Sequence, residues 1–120
     1  MRGLIVLVSM LAALVTTNAA AADKTDHSAN YFLPSCRDFV NGNYVRNPLL
    51  QGECIGVIEA LATFANNLPF ETSRSCPPED ATIGQLTRVI VRWIDEHPQR
   101  WHEDFLALAL FALHEAWPCK

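Results

Sequence analysis

From residue 49 onward the apolar residues Leu50, Cys54, Val57, Ile58, Leu61 and Phe64 or Ala65 recur every three or four positions, the stripe of a helix with one buried face that runs to about residue 66. Asn66, Asn67 and Pro69 close it. A second stripe starts at Thr82. Thr82-x-x-Gln85 is a capping box, Glu79 and Asp80 suit the positive end of a helix, and Ile83, Leu86, Val89 or Ile90, Trp93 and Ile94 follow at helical spacing. Pro98 stops that helix and suits the first turn of the next one, predicted over about residues 99–116 and ended by Trp117-Pro118-Cys119. Upstream, Ser35 reads as the N-cap of a short helix carrying Cys36, Phe39 and Val40, which Asn41-Gly42-Asn43 ends. Residues 23–33 lack apolar period and read as a mobile N-terminal arm. No strand-length alternation and no repeat occurs, so the pattern predicts an all-α fold of four helices.

The first 22 residues follow a different logic. A basic start at Met1-Arg2-Gly3, an apolar run over residues 4–15 and a small-residue stretch with Ala20 and Ala22 make a secretory signal peptide, with cleavage before Asp23. The apolar run is too short for a membrane span and no stop-transfer segment follows, so no membrane attachment is expected after cleavage. What remains, residues 23–120, has the length of a single domain.

Four cysteines, Cys36, Cys54, Cys76 and Cys119, all lie in that mature part. In a small exported chain they read as two disulfides stapling a modest core. If the last two helices form an antiparallel hairpin around Pro98, Cys76 and Cys119 meet at one pole, leaving Cys36 for Cys54. Without Arg2 the chain carries 13 Asp/Glu against eight Lys/Arg and no basic cluster, which argues against nucleic-acid binding. His97, His102 and His114 lack metal-ligand spacing, HExxH and CxxC are absent, and no GxSxG elbow orients a serine. No catalytic residue, metal or cofactor is expected.

Two features point to partners instead. The residues 105–113 form an unbroken apolar run that wraps the last helix on all sides, fitting either a central core helix or one with a face against a partner or a second copy. The stretch over 67–81, with Pro69, Pro77 and Pro78 and an anchoring Cys76, reads as a stiff loop. Phe70 is its candidate apolar anchor, unless it folds back on the core, and Arg74 its candidate carboxylate donor. Trp101, read near the start of the last helix among polar neighbours, is the candidate exposed aromatic, with core packing the alternative.

Gly52-Glu53-Cys54-Ile55-Gly56, then Cys76-Pro77-Pro78 with Thr82-x-Gly84-Gln85-Leu86, then His97-Pro98 and finally Ala116-Trp117-Pro118-Cys119, form an order that resembles the Rap/Tai family of type VI secretion immunity proteins. The resemblance covers about residues 36–119, with Trp117 standing where the family pattern has Phe. It implies a small periplasmic helical protein, often a homodimer, that blocks an exported peptidoglycan amidase and does no chemistry of its own. The alternative from the same features is a helical binder similar to the periplasmic acid-stress chaperones, exposing apolar surface when a dimer dissociates at low pH. The signal-peptide reading has a direct outcome: the intact mass of the exported protein corresponds to a chain starting at or near Asp23, and recovery of an uncleaved membrane-bound form contradicts it.

Overall fold

The structure, a computed structural model, describes residues 26–120; the expected signal peptide lies outside the described residues. Four helices account for the fold: α1 (Ala29–Val40), α2 (Pro48–Phe64), α3 (Ile83–Asp95) and α4 (Phe105–Ala116), with no strand among the described residues. Single 3-10 turns extend α2 (Ala65–Asn67), punctuate the loop after it (Glu71–Ser73) and begin the α3–α4 connection (Pro98–Arg100).

The stripes predict the packing well on α2 and α3. Cys54, Ile58, Leu61 and Ala65 of the α2 stripe are buried, and Phe64 points away and is exposed. On α3, Leu86, Ile90 and Ile94 are buried together with Thr87 and Val91, and the helix lies against α4, α1 and α2. Its start is fixed as the sequence implies: the Gln85 amide donates to Thr82 Oγ1 at 3.2 Å and the Thr82 amide to Gln85 Oε1 at 2.9 Å. Asn47 caps α2 in the same manner, accepting from the Leu50 amide at 3.2 Å ahead of Pro48 at the first turn.

The ends of α1 and α4 differ from expectation, and for one reason. α1 begins at Ala29, six residues before Ser35, and absorbs the end of the supposed arm. Ala29, Phe32, Leu33 and Cys36 fall at helical spacing and are buried, and Pro34 sits inside the helix on its exposed side. Ser35 does not cap; its hydroxyl donates back to the Phe32 carbonyl at 2.9 Å. The N-terminal amides of α1 are satisfied by the α3–α4 connection instead, Ala29 donating to the Glu103 carbonyl at 3.0 Å and Asn30 to that of Trp101 at 2.9 Å. In return the Phe105 amide donates to the His27 carbonyl at 2.8 Å. α4 correspondingly starts at Phe105 and not near Gln99, because Asp104 takes the N-cap and accepts from the Ala107 amide at 3.0 Å.

The connection is itself braced. Arg100 reaches Glu103 with two hydrogen bonds, Nε to Oε1 at 2.8 Å and Nη2 to Oε2 at 2.7 Å, and this pairing holds the Glu103 carboxyl below the usual carboxylate range. The Trp101 indole donates to the Ile94 carbonyl at 2.8 Å, and the Arg37 guanidinium lies 5.2 Å above its ring while also pairing with Asp95. Between α1 and α2, the Tyr31 hydroxyl donates to Glu53 Oε2 at 3.0 Å, which raises the tyrosine pKa.

The cysteines pair as Cys36–Cys54 and Cys76–Cys119. The first joins α1 to α2 in the core; the second ties the loop after α2 to the tail after α4, at the open pole of the α3–α4 hairpin. With sequence separations of 18 and 43, the chain-entropy argument assigns them about 3 and about 4 kcal/mol. α4 buries Phe105, Leu108, Ala109, Ala112 and Leu113. Leu106 and Phe111, each 46% exposed, are separated by about 140° around the helix, so the apolar surplus splits onto two flanks and forms no single outward face.

Two outcomes check this account. Thr82→Ala removes one side of the capping box and lowers stability by about 0.5–2 kcal/mol, whereas Ile58→Ala opens a cavity in the core and costs about 2–5 kcal/mol, both read from urea melts. For Glu103, whose carboxyl is depressed in the folded state, the pair contributes above the unfolded carboxyl pKa of about 4.3 and the contribution disappears as pH falls through the folded value. Glu103→Gln therefore loses stability relative to wild type at neutral pH, and the difference closes under acid; a difference independent of pH would contradict the pairing.

Candidate protein-docking surface

The loop over 66–74 is built from its ends inward. Ala65 and Ser75 are buried at 1% and 0% exposure and join to each other, the Ser75 amide donating to the Ala65 carbonyl at 3.2 Å. None of the nine residues between them is buried. Below this neck the chain is clamped to the end of α4: the Cys76 amide donates to the Trp117 carbonyl at 2.8 Å, Ser75 bridges Pro118, His114 Nδ1 bonds the Arg74 carbonyl at 2.6 Å, and the second disulfide closes the base. Within the loop the Ser73 amide bonds the Phe70 carbonyl at 3.0 Å, forming the 3-10 turn. The result is a short, tethered protrusion.

Phe70 stands at the head of that turn and is 69% exposed, so it does not fold back onto the core. Arg74 is less available. Its guanidinium lies 3.8 Å from Glu71, its side chain is 35% exposed, and its Nε is buried with no hydrogen-bond partner among the described residues. Trp101 belongs elsewhere: half-buried, with its indole nitrogen committed to Ile94 and its carbonyl to α1, it packs on the core at the C-terminal end of α3, whereas the loop feeds into the N-terminal end of that helix. The exposed-aromatic reading of Trp101 fails because it is not on a helix start but in the turn that receives α1. Phe70 and Arg74 thus share one element, and Trp101 is not brought to it.

A second exposed apolar group was not foreseen. Tyr44 and Val45, at 60% and 94% exposure, project from the α1–α2 connection, and Leu49, at 74%, from the first turn of α2 beside it. Their backbone is held: Gly42 takes the turn with φ +75, the Asn43 amide donates to the Asp38 carbonyl at 2.8 Å, and buried Gln51 donates from Nε2 to the Asn43 carbonyl at 2.8 Å. The signal of Tyr44 and Val45 in the sequence is apolar residues caught between the turn at Asn41-Gly42-Asn43 and the cap at Asn47-Pro48, with no helical stripe to join.

The titratable side chains that invited chemistry are dispersed into structural contacts. His97 Nδ1 bonds the Trp93 carbonyl at 2.6 Å and its ring stacks on that indole at 4.0 Å, and His114 serves the loop base. The Trp93 indole donates to Glu115 at 2.7 Å, while the Arg100 guanidinium covers the Trp93 and Phe111 rings at 5.4 and 5.0 Å. Among the described residues no group of three or more His, Cys, Asp or Glu is placed to hold a metal ion.

Compared with known proteins, residues 28–119 match a family model described as Rap1a immunity proteins. No curated protein and no solved structure gives a match. The match spans all four helices and both disulfides, and the chain belongs to the Rap1a immunity protein family.

Proposed function

We propose that this member of the Rap1a immunity protein family works in the periplasm, after removal of residues 1–22, by binding and occluding an exported peptidoglycan amidase of type VI secretion, with no chemistry of its own. The family match supplies the immunity character. The amidase as partner class rests on the resemblance to the Rap/Tai immunity proteins.

One structural observation supports occlusion: a loop of nine residues, none buried, held between two buried residues and tipped by an exposed phenylalanine. A cleft is blocked most economically by an element whose shape is set before contact, because less conformational freedom is then lost on binding. Phe70 supplies an apolar anchor for such a cleft, and Arg74, once released from Glu71, a donor for a carboxylate at its rim. Its anchors Ala65, Ser75, His114, Trp117 and Cys119 all come from the same chain, so a homodimer is not required to build the loop.

The test is affinity for the amidase encoded beside its gene. Phe70→Ala is expected to weaken binding by a factor of about 10–100, or about 1.4–2.7 kcal/mol, while the melting temperature stays close to wild type because the ring is largely exposed. A variant that binds the amidase and protects cells as well as wild type would remove this loop as the inhibitory surface.

A further inference from the structure

We propose that Cys76–Cys119 is a thiol-exchange site: a dithiol opens this bridge while Cys36–Cys54 stays closed, and the opening loosens the neck of the 66–74 loop. The consequence for binding rests on the function proposed above; the exchange itself does not.

The two bridges differ in access. Cys36 and Cys54 are both 0% exposed, enclosed between α1 and α2, so an attacking thiolate reaches them only after those helices part. Cys76 is exposed, and Cys119 is half-buried. Thiol–disulfide exchange needs a thiolate to approach a sulfur directly, so access sets which bridge reacts first. Neither Cys76 nor Cys119 belongs to the buried core, and the segments they join are a loop exit and a tail.

The step balances with a dithiol as reductant. One thiolate of the dithiol attacks a sulfur of the bridge, forming a mixed disulfide and releasing the other cysteine as a thiolate that takes up a proton. The second thiol of the dithiol, giving up its own proton, then displaces the remaining cysteine. The protein bridge gains two electrons and two protons, and the reductant leaves as a cyclic disulfide.

Opening the bridge removes the covalent part of the clamp. What remains around the neck, besides the buried Ala65 and Ser75, is a small set of hydrogen bonds, Ser75 to Ala65, Cys76 to Trp117 and His114 to the Arg74 carbonyl. Contacts of this kind open at low free energy, whereas α1, α2 and α3 keep their buried faces and their own bridge.

The experiment treats the oxidised mature protein with dithiothreitol, traps free thiols by alkylation at timed intervals, and maps the labelled peptides alongside amide hydrogen exchange. Cys76 and Cys119 are expected to label at least tenfold faster than Cys36 and Cys54, with the helical circular dichroism retained and exchange at the Ser75 and Cys76 amides accelerated at least tenfold. Labelling of all four cysteines together, labelling of Cys36 and Cys54 first, or unchanged exchange at Ser75 and Cys76 overturns the proposal. A Cys76→Ala/Cys119→Ala variant should be folded and show the same fast exchange without reductant; if it is unfolded, the bridge belongs to the fold and the proposal falls. Binding of the neighbouring amidase separates the two readings. An oxidised wild type that does not bind removes the amidase function and leaves the exchange result standing, whereas equal binding by the oxidised and opened forms removes the link from bridge to binding.

Discussion

The bundle closes where its beginning meets the connection before its last helix. Three backbone hydrogen bonds, Ala29 to Glu103, Asn30 to Trp101 and Phe105 to His27, satisfy groups that a helix terminus otherwise leaves to water or to a side chain. Because α1 borrows its cap from the 101–104 turn, that turn must keep one shape, and the Arg100–Glu103 clasp and the Trp101–Ile94 bond serve that end. The turn in turn sets where α4 starts, and so which residues of its apolar run face the core.

That dependence explains what the sequence showed and what it did not. Thr82 with Gln85 is a local device, with donor and acceptor three residues apart, and the start of α3 follows it; Asn47 caps α2 in the same way, just ahead of a stripe that the apolar period alone marks. The stripe of α2 and most of that of α3 were visible because their period survives without reference to any neighbour. α1 is different: its cap comes from residues more than 70 positions away, and Ser35, a good cap by type, lies inside the helix. Pro98 suits a helix start by itself, yet the turn needed by α1 occupies the next residues, and the cap falls to Asp104. The helical hairpin and the sites of the bridges followed from Pro98 and the cysteine positions alone. Trp101 falls in the turn because the helix starts after it, and Tyr44 and Val45 carry no signal of their own, since a turn pattern says where the chain bends but not what the bend carries outward.

The interior and the surface divide the hydrophobic residues in an unequal way. α4 offers more apolar side chains than the core can take, and the excess is spread: Phe111 lies against Trp93 under Arg100, and Leu106 sits on the other flank near Phe32 and Val57. The more fully exposed apolar residues, Val45, Leu49, Phe70, Phe64 and Tyr44, stand on connections or on the helix ends beside them. Shape without burial is a property of recognition elements, since a fold gains little from holding an apolar group in water.

The bracketing of the loop by Ala65 and Ser75 has a consequence for how such a protein changes over generations. None of the nine residues inside it is buried, although Arg74 turns its Nε inward and its carbonyl meets His114. Substitutions at the loop's outward positions, Phe70 foremost, alter what the protrusion presents while leaving the buried faces of the helices as they are. A lineage can therefore rewrite a few surface positions, and the scaffold that carries them is not put at risk by the change.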